Sequence, residues 1–550
     1  MSVSNMVWLG PDNPDEGVTA ERVGSKAAGI WRIGRLELPT PPAFALPTDL
    51  CAAANTSPAD AVPRIAAALS AGVRRLEEAT ARRLGDPRAP LLVSVRSGAA
   101  VSMPGMLSTV LNVGASPETT HGLIRLTGDP RFAWDSYRRF LESYGAVVAG
   151  APSAAFARTL AAMIRAEGCA HESELDGEAL ERLATQYAEL TAREGAGPIP
   201  AEPMDQLTQA ALAVFRSWEG RKAREYRRLN SLEGLAGTAV TVQAMVFGNG
   251  GPRSGSGVAF SRDPANGAKR LYVDFLFDAQ GDDVVSGRRT PVGIEALAAR
   301  LPAVADALTQ GAARLERAFR DVQDVEFTVE DGELYFLQTR AAKRTPRAAL
   351  RIAVDLVGEG LIDESEALAR LDDVDLERAA ATRFAEPAEV VARGIPAAPG
   401  VASGRAAFDA AGAQRLAATG DPVLLVRREP ATEDIAGFAA ADGILTAVGG
   451  RTAHAAVVAR QMAKACVVGC TALEIDEPAG VATLAGRRIA AGDWISLDGE
   501  SGEVSLGRRQ IVTDAPGAAL ATVAAWRAGR RDCTRAPPSE VVGGPAMSQT

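Results

Sequence analysis

The sequence has few cysteines, and they do not form the pattern of a disulfide framework. Five cysteines are scattered over 550 residues. An odd number without regular spacing is typical of a protein from a reducing compartment. Cys466 and Cys470 lie close together, but no second pair of Cys or His residues lies nearby in the sequence. We therefore favour two buried structural thiols over a metal site.

The sequence also lacks long apolar runs and any excess of positive charge. No apolar stretch reaches the roughly 18 residues of a membrane span, and the amino terminus has no signal-like basic and apolar regions. The 59 Lys and Arg residues are outnumbered by 68 Asp and Glu residues. Without a Lys/Arg-rich run, a surface that neutralises nucleic-acid phosphates has no support. We expect a cytoplasmic protein whose partners are neither nucleic acids nor membranes.

Length and patterning predict several α/β domains. With 47% hydrophobic residues, a chain of 550 residues can form two to four separate cores. Strand-like and helical segments alternate over 1–345, where a helical insertion is expected at about 132–230. A helical linker or hinge is expected over 346–393, and a second α/β domain over 394–512. We expect the tail, 513–550, to be poorly ordered.

Only three histidines are present, and His454 has the context that points to chemistry. Two glycines would end a strand-to-helix loop, and Thr452 would cap the helix that follows. His454 would then lie in the first helical turn, beside free N–H groups and the positive end of the helix dipole. A neutral imidazole there can attack phosphorus, and the helix start stabilises the resulting anion. A core histidine bonded to a carbonyl is the less favoured alternative.

Candidate phosphate ligands occur without a P-loop, because no GxxxxGK[ST] motif is present. Lys26 follows a Gly-Ser pair at a helix start and could reach a polyphosphate, although a surface lysine would have the same signature. Arg96 ends a buried-strand pattern, where either anion binding or a structural ion pair would explain it. Ser256 lies between two glycines that could cradle a phosphate.

A predicted hairpin carries a further polar cluster. Residues 325–329 and 334–337 alternate on either side of an Asp-Gly turn. The two strands would place together Asp324, Glu326, Gln338 and Arg340. Oxygen ligands beside a cation suit Mg²⁺ and phosphates. An exposed hairpin held by salt bridges explains the same residues equally well.

Five long segments resemble the pyruvate phosphate dikinase family. They are LLVSVRSGAAVSMPGMLSTVLNVG (91–114), VQAMVFGNGG with SGSGVAFSRDP (242–264), DAQGDDVVSGRRTP (278–291), QDVEFTVEDGELYFLQTRAAKRT (323–345) and DGILTAVGGRTAHAAVVARQMAKACVVGC (442–470). The resemblance covers nearly the whole chain. It implies an ATP-grasp nucleotide-binding domain with a helical subdomain, followed by a swivelling α/β phosphohistidine domain.

The resemblance also implies a role for each candidate residue. The residues implied to bind ATP are Lys26, Arg96, Gly105, Ser256, Asp324, Glu326, Gln338 and Arg340. Of these, Glu326 and Gln338 would also bind Mg²⁺, while Arg96 and Arg340 would be catalytic together with His454. The loop that presents the histidine would consist of Gly449, Gly450, Arg451 and Thr452.

The chemistry implied is transfer of the β-phosphoryl group of ATP to His454, with release of AMP. Inorganic phosphate or water would take the γ-phosphoryl group, and His454 would pass its own to an acceptor. Family members continue into a barrel that binds pyruvate and phosphoenolpyruvate, whereas this sequence stops before it. The acceptor is therefore expected on a separate polypeptide, as a small molecule that meets His454 directly, or on an unrecognised surface of this chain, and a homodimer is a possible assembly.

Two smaller departures from the family pattern are Asp274, where Glu is usual, and Ala453, where Ser, Thr or Cys is usual. Neither departure is expected to abolish transfer. The rival interpretation is a non-catalytic phosphocarrier or regulatory protein that pairs with a separate acceptor-binding protein. The full set of implied ATP ligands favours the enzyme.

Overall fold

The computed structural model describes residues 5–13, 17–101, 103, 108–286, 289–428, 435–451, 454–476, 480–514 and 516–533. The description excludes the side chains of residues 229, 285, 286, 378, 435, 454 and 530–533. The chain divides into two compact units. The first consists of 1–261, 271–315 and 323–341, and the second of 262–270, 316–322 and 342–550. The protein is a multidomain α/β chain, as the sequence predicts.

Up to residue 341 the strands are β1 (Val7–Trp8), β2 (Ala43–Leu46), β3 (Arg83–Leu84), β4 (Pro90–Leu91), β5 (Val93–Gly98), β6 (Thr109–Val113), β7 (Ala239–Ala244), β8 (Gly255–Phe260), β9 (Tyr272–Phe277), β10 (Gln323–Glu330) and β11 (Glu333–Ala341). The helices are α1 (Ala20–Arg35), α2 (Asp49–Thr56), α3 (Pro58–Thr80), α4 (Pro117–Thr127), α5 (Pro130–Val147), α6 (Ser153–Ala166), α7 (Gly177–Glu194), α8 (Pro203–Ser217), α9 (Arg221–Leu229), α10 (Gly281–Ser286), α11 (Ile294–Arg300) and α12 (Pro302–Phe319), with a 3₁₀ turn at Glu172–Glu174. The helical stretch expected at about 132–230 thus begins earlier, at Pro117.

Beyond residue 341 the helices are α13 (Pro346–Gly358), α14 (Glu364–Leu371), α15 (Ala410–Ala417), α16 (Ile435–Ala440), α17 (His454–Gln461) and α18 (Gly517–Cys533), with a 3₁₀ turn at Leu376–Ala379. The strands are β12 (Ala381–Phe384), β13 (Ala392–Arg393), β14 (Ile395–Ala398), β15 (Val401–Ala407), β16 (Val423–Arg427), β17 (Gly443–Thr446), β18 (Ala465–Val468), β19 (Leu473–Asp476), β20 (Val481–Leu484), β21 (Arg487–Ala490), β22 (Trp494–Asp498), β23 (Glu503–Leu506) and β24 (Ile511–Asp514).

The first unit contains an antiparallel sheet in the order β1-β2-β7-β5-β6. Side chains alternate between its two faces. Phe44 and Val95 point to one face, where they join the core formed with α2, α3 and α8. Ala45 lies on the other face, and it packs in a second cluster with residues of α1. Arg96 directly follows Val95 and therefore lies on the α1 face.

A second antiparallel sheet has the order β11-β10-β8-β9. The rings of Phe275 and Phe327 stack on one of its faces with centroids 5.7 Å apart. Helix α12 packs close to the sheet, since a Cβ at Gly311 would lie 2.3 Å from the Phe336 ring. Helix α1 also contacts β11, because a Cβ at Gly29 would lie 3.2 Å from the Thr339 carbonyl oxygen. Helix α1 is therefore shared between both sheets of this unit.

The boundary expected at residue 345 is not where the chain divides. Segments 262–270 and 316–322 belong to the second unit, because a buried arginine ties them to α13. The Arg262 side chain is fully buried, and its Nη2 lies 2.8 Å from Glu316 Oε1 and 2.8 Å from Glu359 Oε2. A buried guanidinium needs such partners, so these segments are held to α13.

The second unit is built on an eight-stranded sheet in the order β13-β23-β22-β15-β16-β17-β18-β14. Strands β15 to β18 run parallel, and the others pair antiparallel. Along β16, Leu424 and Val426 join the core on one face, while Val423 and Leu425 join the core beneath α17. Burial on both faces explains why residues 423–426 form a continuous apolar run in the sequence. A three-stranded sheet, β19-β20-β21, adjoins the first of these cores.

Parts of the expected linker and the expected tail are structured together. Strands β12 and β24 form an antiparallel ribbon, with Thr382 opposite Thr513. Helix α18 contacts α13 and α14, and the side chain of Val523 is buried. The prediction of a poorly ordered tail was wrong for the described residues 513–514 and 516–533, because the apolar side of a helix in this Ala/Arg-rich segment packs against other helices. Residues 534–550 lie outside the described part of the chain.

Candidate functional site

The start of α1 brings Lys26 towards β5. The helix is kinked at Gly24, which has φ of 81° and ψ of 154°. A Cβ at this position would lie 2.0 Å from the Gly98 carbonyl oxygen, so only glycine fits. The Ser25 N–H donates to the Ala99 carbonyl oxygen at 2.9 Å. These contacts fix Lys26 beside the end of the strand that carries Arg96.

The charge environment of Lys26 shows which residues surround it. Burial, together with the nearby guanidinium groups of Arg96 and Arg340, lowers its pKa to about 8, while Glu326 acts in the opposite direction. Three further predicted ATP ligands, from β5, β10 and β11, therefore lie within electrostatic range of Lys26 on α1. Lys26 is partly buried, which favours the phosphate-binding prediction over the alternative of an ordinary surface lysine.

The second sheet arranges polar residues in a row. Asp274 of β9 is opposite Val258 of β8, which is opposite Glu326 of β10, which is opposite Gln338 of β11. Residues in register on neighbouring strands share a face. The Gln338 amide donates to Glu326 Oε1 at 3.4 Å. Asp274 thus joins the face of the predicted metal ligands.

The next pair along the hairpin is an ion pair. Arg340 Nε donates to Asp324 Oδ2 at 2.7 Å, and Arg340 Nη2 lies 3.9 Å from Glu326 Oε1. Burial lowers the pKa of Arg340, but the two carboxylates outweigh burial and the net pKa is raised. Asp324 is buried, whereas the Arg340 side chain is 41% exposed. The hairpin is therefore held by a salt bridge, as the alternative interpretation expects. Of the Arg340–Asp324 pair, however, only Arg340 is exposed.

The donors on this face suit a nucleotide-bound Mg²⁺ better than a metal held by protein alone. Glu326 and Gln338 offer a carboxylate and an amide oxygen, both hard ligands. Within the described ranges, no group of three or more His, Cys, Asp or Glu side chains converges as a metal site. Mg²⁺ commonly uses one or two protein ligands and completes its octahedron with phosphate and water. The residues present fit that mode.

The structure corrects the expected position of Ser256. This residue lies inside β8 rather than in a loop, and its side chain is buried. Its Oγ is hydrogen-bonded to Thr328 Oγ1 at 3.1 Å. The glycines on either side allow close packing against Phe275 and Phe327, rather than forming a phosphate cradle. Gly105, which the resemblance also implies to bind ATP, lies outside the described residues.

Asp282 is a neighbour of the site that sequence reasoning missed. It is solvent-exposed on α10, yet surrounding protein removes part of its hydration and raises its pKa. Arg139 and Arg96 lower this pKa, while Glu326 raises it further. Arg139 Nη2 also lies 3.0 Å from Asp283 Oδ2, which anchors α10. The sequence signal that could have indicated it is the acidic pair Asp282 and Asp283 within the segment 278–291.

The loop before His454 is built as the sequence predicts, as far as it is described. Gly449 has φ of 114°, and α17 begins at His454. The Arg451 Nε donates to the Pro396 carbonyl oxygen at 2.6 Å. Burial lowers the pKa of Arg451 to about 10, while Asp263 acts in the opposite direction. Thr452, the expected helix cap, lies outside the described residues.

The sequence predicts neither a cysteine metal site nor a membrane span, and the described residues bear on both. Cys466 and Cys470 are both buried, and burial raises the pKa of the Cys466 thiol to about 12, as suits structural thiols. Among the helices that the structure describes, none is both long enough and apolar enough to cross a membrane.

Comparison with known proteins identifies the family. Residues 60–305 and 298–359 match the pyruvate phosphate dikinase AMP/ATP-binding domain. Residues 419–502 match the mobile domain of PEP-utilising enzymes. The chain belongs to the pyruvate phosphate dikinase family. Along the chain the nucleotide-domain match precedes the mobile-domain match, and the latter includes His454.

Named relatives of this dikinase family are similar over most of the chain. Pyruvate, phosphate dikinase 2 of Zea mays is 42% identical over 510 residues, which are 92% of this chain and 58% of the relative. Pyruvate, phosphate dikinase of Clostridium symbiosum is 44% identical over 490 residues, which are 88% of this chain and 56% of the relative. The chain thus spans a little over half the length of these dikinases.

Proposed function

We propose that this chain is an ATP-dependent phosphotransferase that moves the β-phosphoryl group of ATP to His454. AMP would leave, and the γ-phosphoryl group would pass to inorganic phosphate or water. The first unit would act as an ATP-grasp nucleotide domain, and residues 394–512 as a swivelling phosphohistidine domain. The observation that carries this proposal is the convergence of Lys26, Arg96, Glu326 and Arg340 in one charged cluster.

The proposed roles follow from charge and position. Lys26, Arg96 and Arg340 supply positive charge where a triphosphate would lie, and fixed cations stabilise the charge of phosphoryl transfer. Glu326 and Gln338 would hold Mg²⁺, which neutralises further phosphate charge when it is bound. Asp324 keeps the Arg340 guanidinium in place through its 2.7 Å contact. This chain then contributes mainly alignment and charge neutralisation.

The histidine would act from the start of α17. Backbone N–H groups of a first helical turn have no helical partners, so they favour an anion such as a phosphoryl group. ATP and the final acceptor cannot occupy one histidine together, so we infer that the domain carrying it moves between them. The hinge would lie within 346–393. Residues 381–384 of this range are paired with β24, so we expect the bend to lie outside them.

The test uses the full chain with Mg²⁺ and ATP labelled at either the β or the γ position, with and without inorganic phosphate. Wild-type protein should acquire acid-labile β-label and release AMP. A His454→Ala variant should acquire none. His171→Ala is the matched control, because His171 is solvent-exposed and lies outside the cluster, and it should label like the wild type.

Each outcome separates the proposal from its rival. γ-Label on His454 without β-label, with ADP released in place of AMP, would mean ordinary kinase chemistry and would contradict the dikinase reaction. No label from ATP, with label acquired from a phosphorylated partner, would establish a phosphocarrier instead. The final acceptor would then be sought by adding candidate molecules to the isolated phosphorylated chain and following loss of label.

A further inference from the structure

A cavity outside the candidate ATP site lies between the β12–β24 ribbon and the eight-stranded sheet of the second unit. Its volume is about 730 Å³, a size suited to a small organic ligand. Ribbon residues form one side, including Thr382 and Ile511, and Ser403 of β15 lies on the other side. The Val401 N–H donates to Thr382 Oγ1 at 2.9 Å, so the two sides meet at the cavity.

Two arginines give this cavity its charge. Arg508 and Arg509 both line it, and the only carboxylate among the lining residues is Asp442. Asp442 Oδ2 already accepts the Val423 N–H at 2.9 Å. Over the described residues, neither guanidinium has a carboxylate within ion-pair distance. A lining arginine without an acidic partner retains N–H donors that can bind a phosphate or carboxylate.

Both arginines are also held in position. The Arg508 guanidinium lies 4.7 Å from the centroid of the Trp494 ring, and that of Arg509 lies 3.7 Å from the Phe384 ring. The Arg509 backbone N–H donates to the buried Ser403 Oγ at 2.9 Å, and the Arg509 guanidinium donates to the Glu386 carbonyl oxygen. Stacking leaves the edges of a guanidinium available for hydrogen bonds. Such groups lose little additional entropy when a ligand binds.

We propose that this cavity binds a small organic anion, with its phosphate or carboxylate group held by Arg508 and Arg509. The mixed lining predicts a ligand with an apolar portion, which would contact residues such as Val401 and Ile511. Because the ligand would touch both ribbon and sheet, its binding would stabilise their contact. The proposal concerns a different site from the ATP cluster and does not depend on ATP chemistry.

Site-resolved arginine modification of the full chain tests this assignment. The protein is treated with phenylglyoxal, and the modification rate of each arginine is read by peptide mass spectrometry. Phenyl phosphate, benzoate and the neutral analogue phenol serve as probes. A protected site reacts about tenfold more slowly when the probe is at roughly ten times its dissociation constant. We expect phenyl phosphate or benzoate to protect Arg508 and Arg509 to this extent.

Arg383 provides the control on the same ribbon. It is exposed, pairs with Asp514 at 2.8 Å and does not line the cavity, so its rate should change less than about twofold. Protection by phenyl phosphate alone would assign a phosphate ligand, and protection by both anions a general anion site. Protection by phenol, equal protection of Arg383, or no protection by either anion would overturn the proposal. An Arg508→Gln/Arg509→Gln variant that retains its melting temperature should lose calorimetric heat of binding assigned to this site.

Discussion

The ATP cluster and the histidine loop achieve their geometry in different ways. The cluster takes Lys26, Arg96, Glu326 and Arg340 from four separate elements, and α1 and the sheets must pack correctly before these side chains meet. The histidine loop is contiguous in sequence, since residues 449–454 follow β17 and end at His454, the first residue of α17. A single backbone substitution near the cluster should therefore displace several of its side chains relative to one another. A substitution in the loop should affect His454 alone.

The largest predicted effect comes from Gly24→Ala. The added Cβ would lie 2.0 Å from a backbone carbonyl oxygen and would occupy a residue with positive φ. Helix α1 must then shift away from β5, which separates Lys26 from Arg96. Misplacement of about 1 Å costs about 100-fold in rate, so β-label transfer to His454 should fall by at least about that factor. The measurement is the single-turnover labelling rate.

Two alanine substitutions serve as controls for this prediction. A Cβ at Gly34 of the same helix has no neighbour closer than 3.6 Å, and one at Gly98 has none closer than 3.7 Å. Both variants should retain labelling within about threefold, equivalent to less than 1 kcal/mol. The reactivity of the Lys26 amine at pH 8 should fall in Gly24→Ala, because its pKa rises on leaving Arg96. Unchanged amine reactivity in a folded Gly24→Ala variant would contradict the positioning role.

The same contrast explains what could be predicted from the sequence. The hairpin of β10 and β11 was predictable because an Asp-Gly turn and strand alternation are local signals, and β16 because of its apolar run. The meeting of Gly24 with Gly98 depends on tertiary packing that no local pattern encodes. Ser256 was misplaced because small residues that allow tight strand packing have the same signature as a flexible loop.

Packing also explains the two errors of organisation. Helix α18 was missed because an Ala/Arg-rich segment has few apolar residues, and Val523 becomes buried only where α13 and α14 provide a surface. Residues 262–270 were assigned to the first domain because they follow β8 in sequence. The buried Arg262 pairs them instead with Glu359, directly after α13, and such a long-range ion pair cannot be read from spacing.

An intermediate effect is predicted for the pH dependence of ATP binding. In the free protein Lys26 has a pKa of about 8, and the phosphates of ATP would favour its protonated form. Affinity should therefore fall as pH rises from 7 to 9, by about tenfold as the protonated fraction falls. Calorimetry in buffers of different ionisation enthalpy should show proton uptake above pH 8.

Lys26→Arg is the matched variant, because a guanidinium stays protonated throughout this range. Its affinity should change less than about twofold between pH 7 and pH 9, whatever its absolute value. An equally steep fall in Lys26→Arg would assign the titration to another group. This result would argue against the view that the packing of α1 against β5 lowers the pKa of Lys26.

The smallest effects should come from restoring the two usual family residues, one in each region. Asp274 is buried on the face that carries Glu326, so the extra methylene of Asp274→Glu has to be accommodated in a packed layer. This change should lower the free energy of unfolding by about 1 kcal/mol. Ala453→Ser adds a single hydroxyl next to His454 in the sequence and should change it by less than about 0.5 kcal/mol. Chemical denaturation measures both values, and a larger loss in Ala453→Ser would show that the histidine loop is the more tightly constrained region.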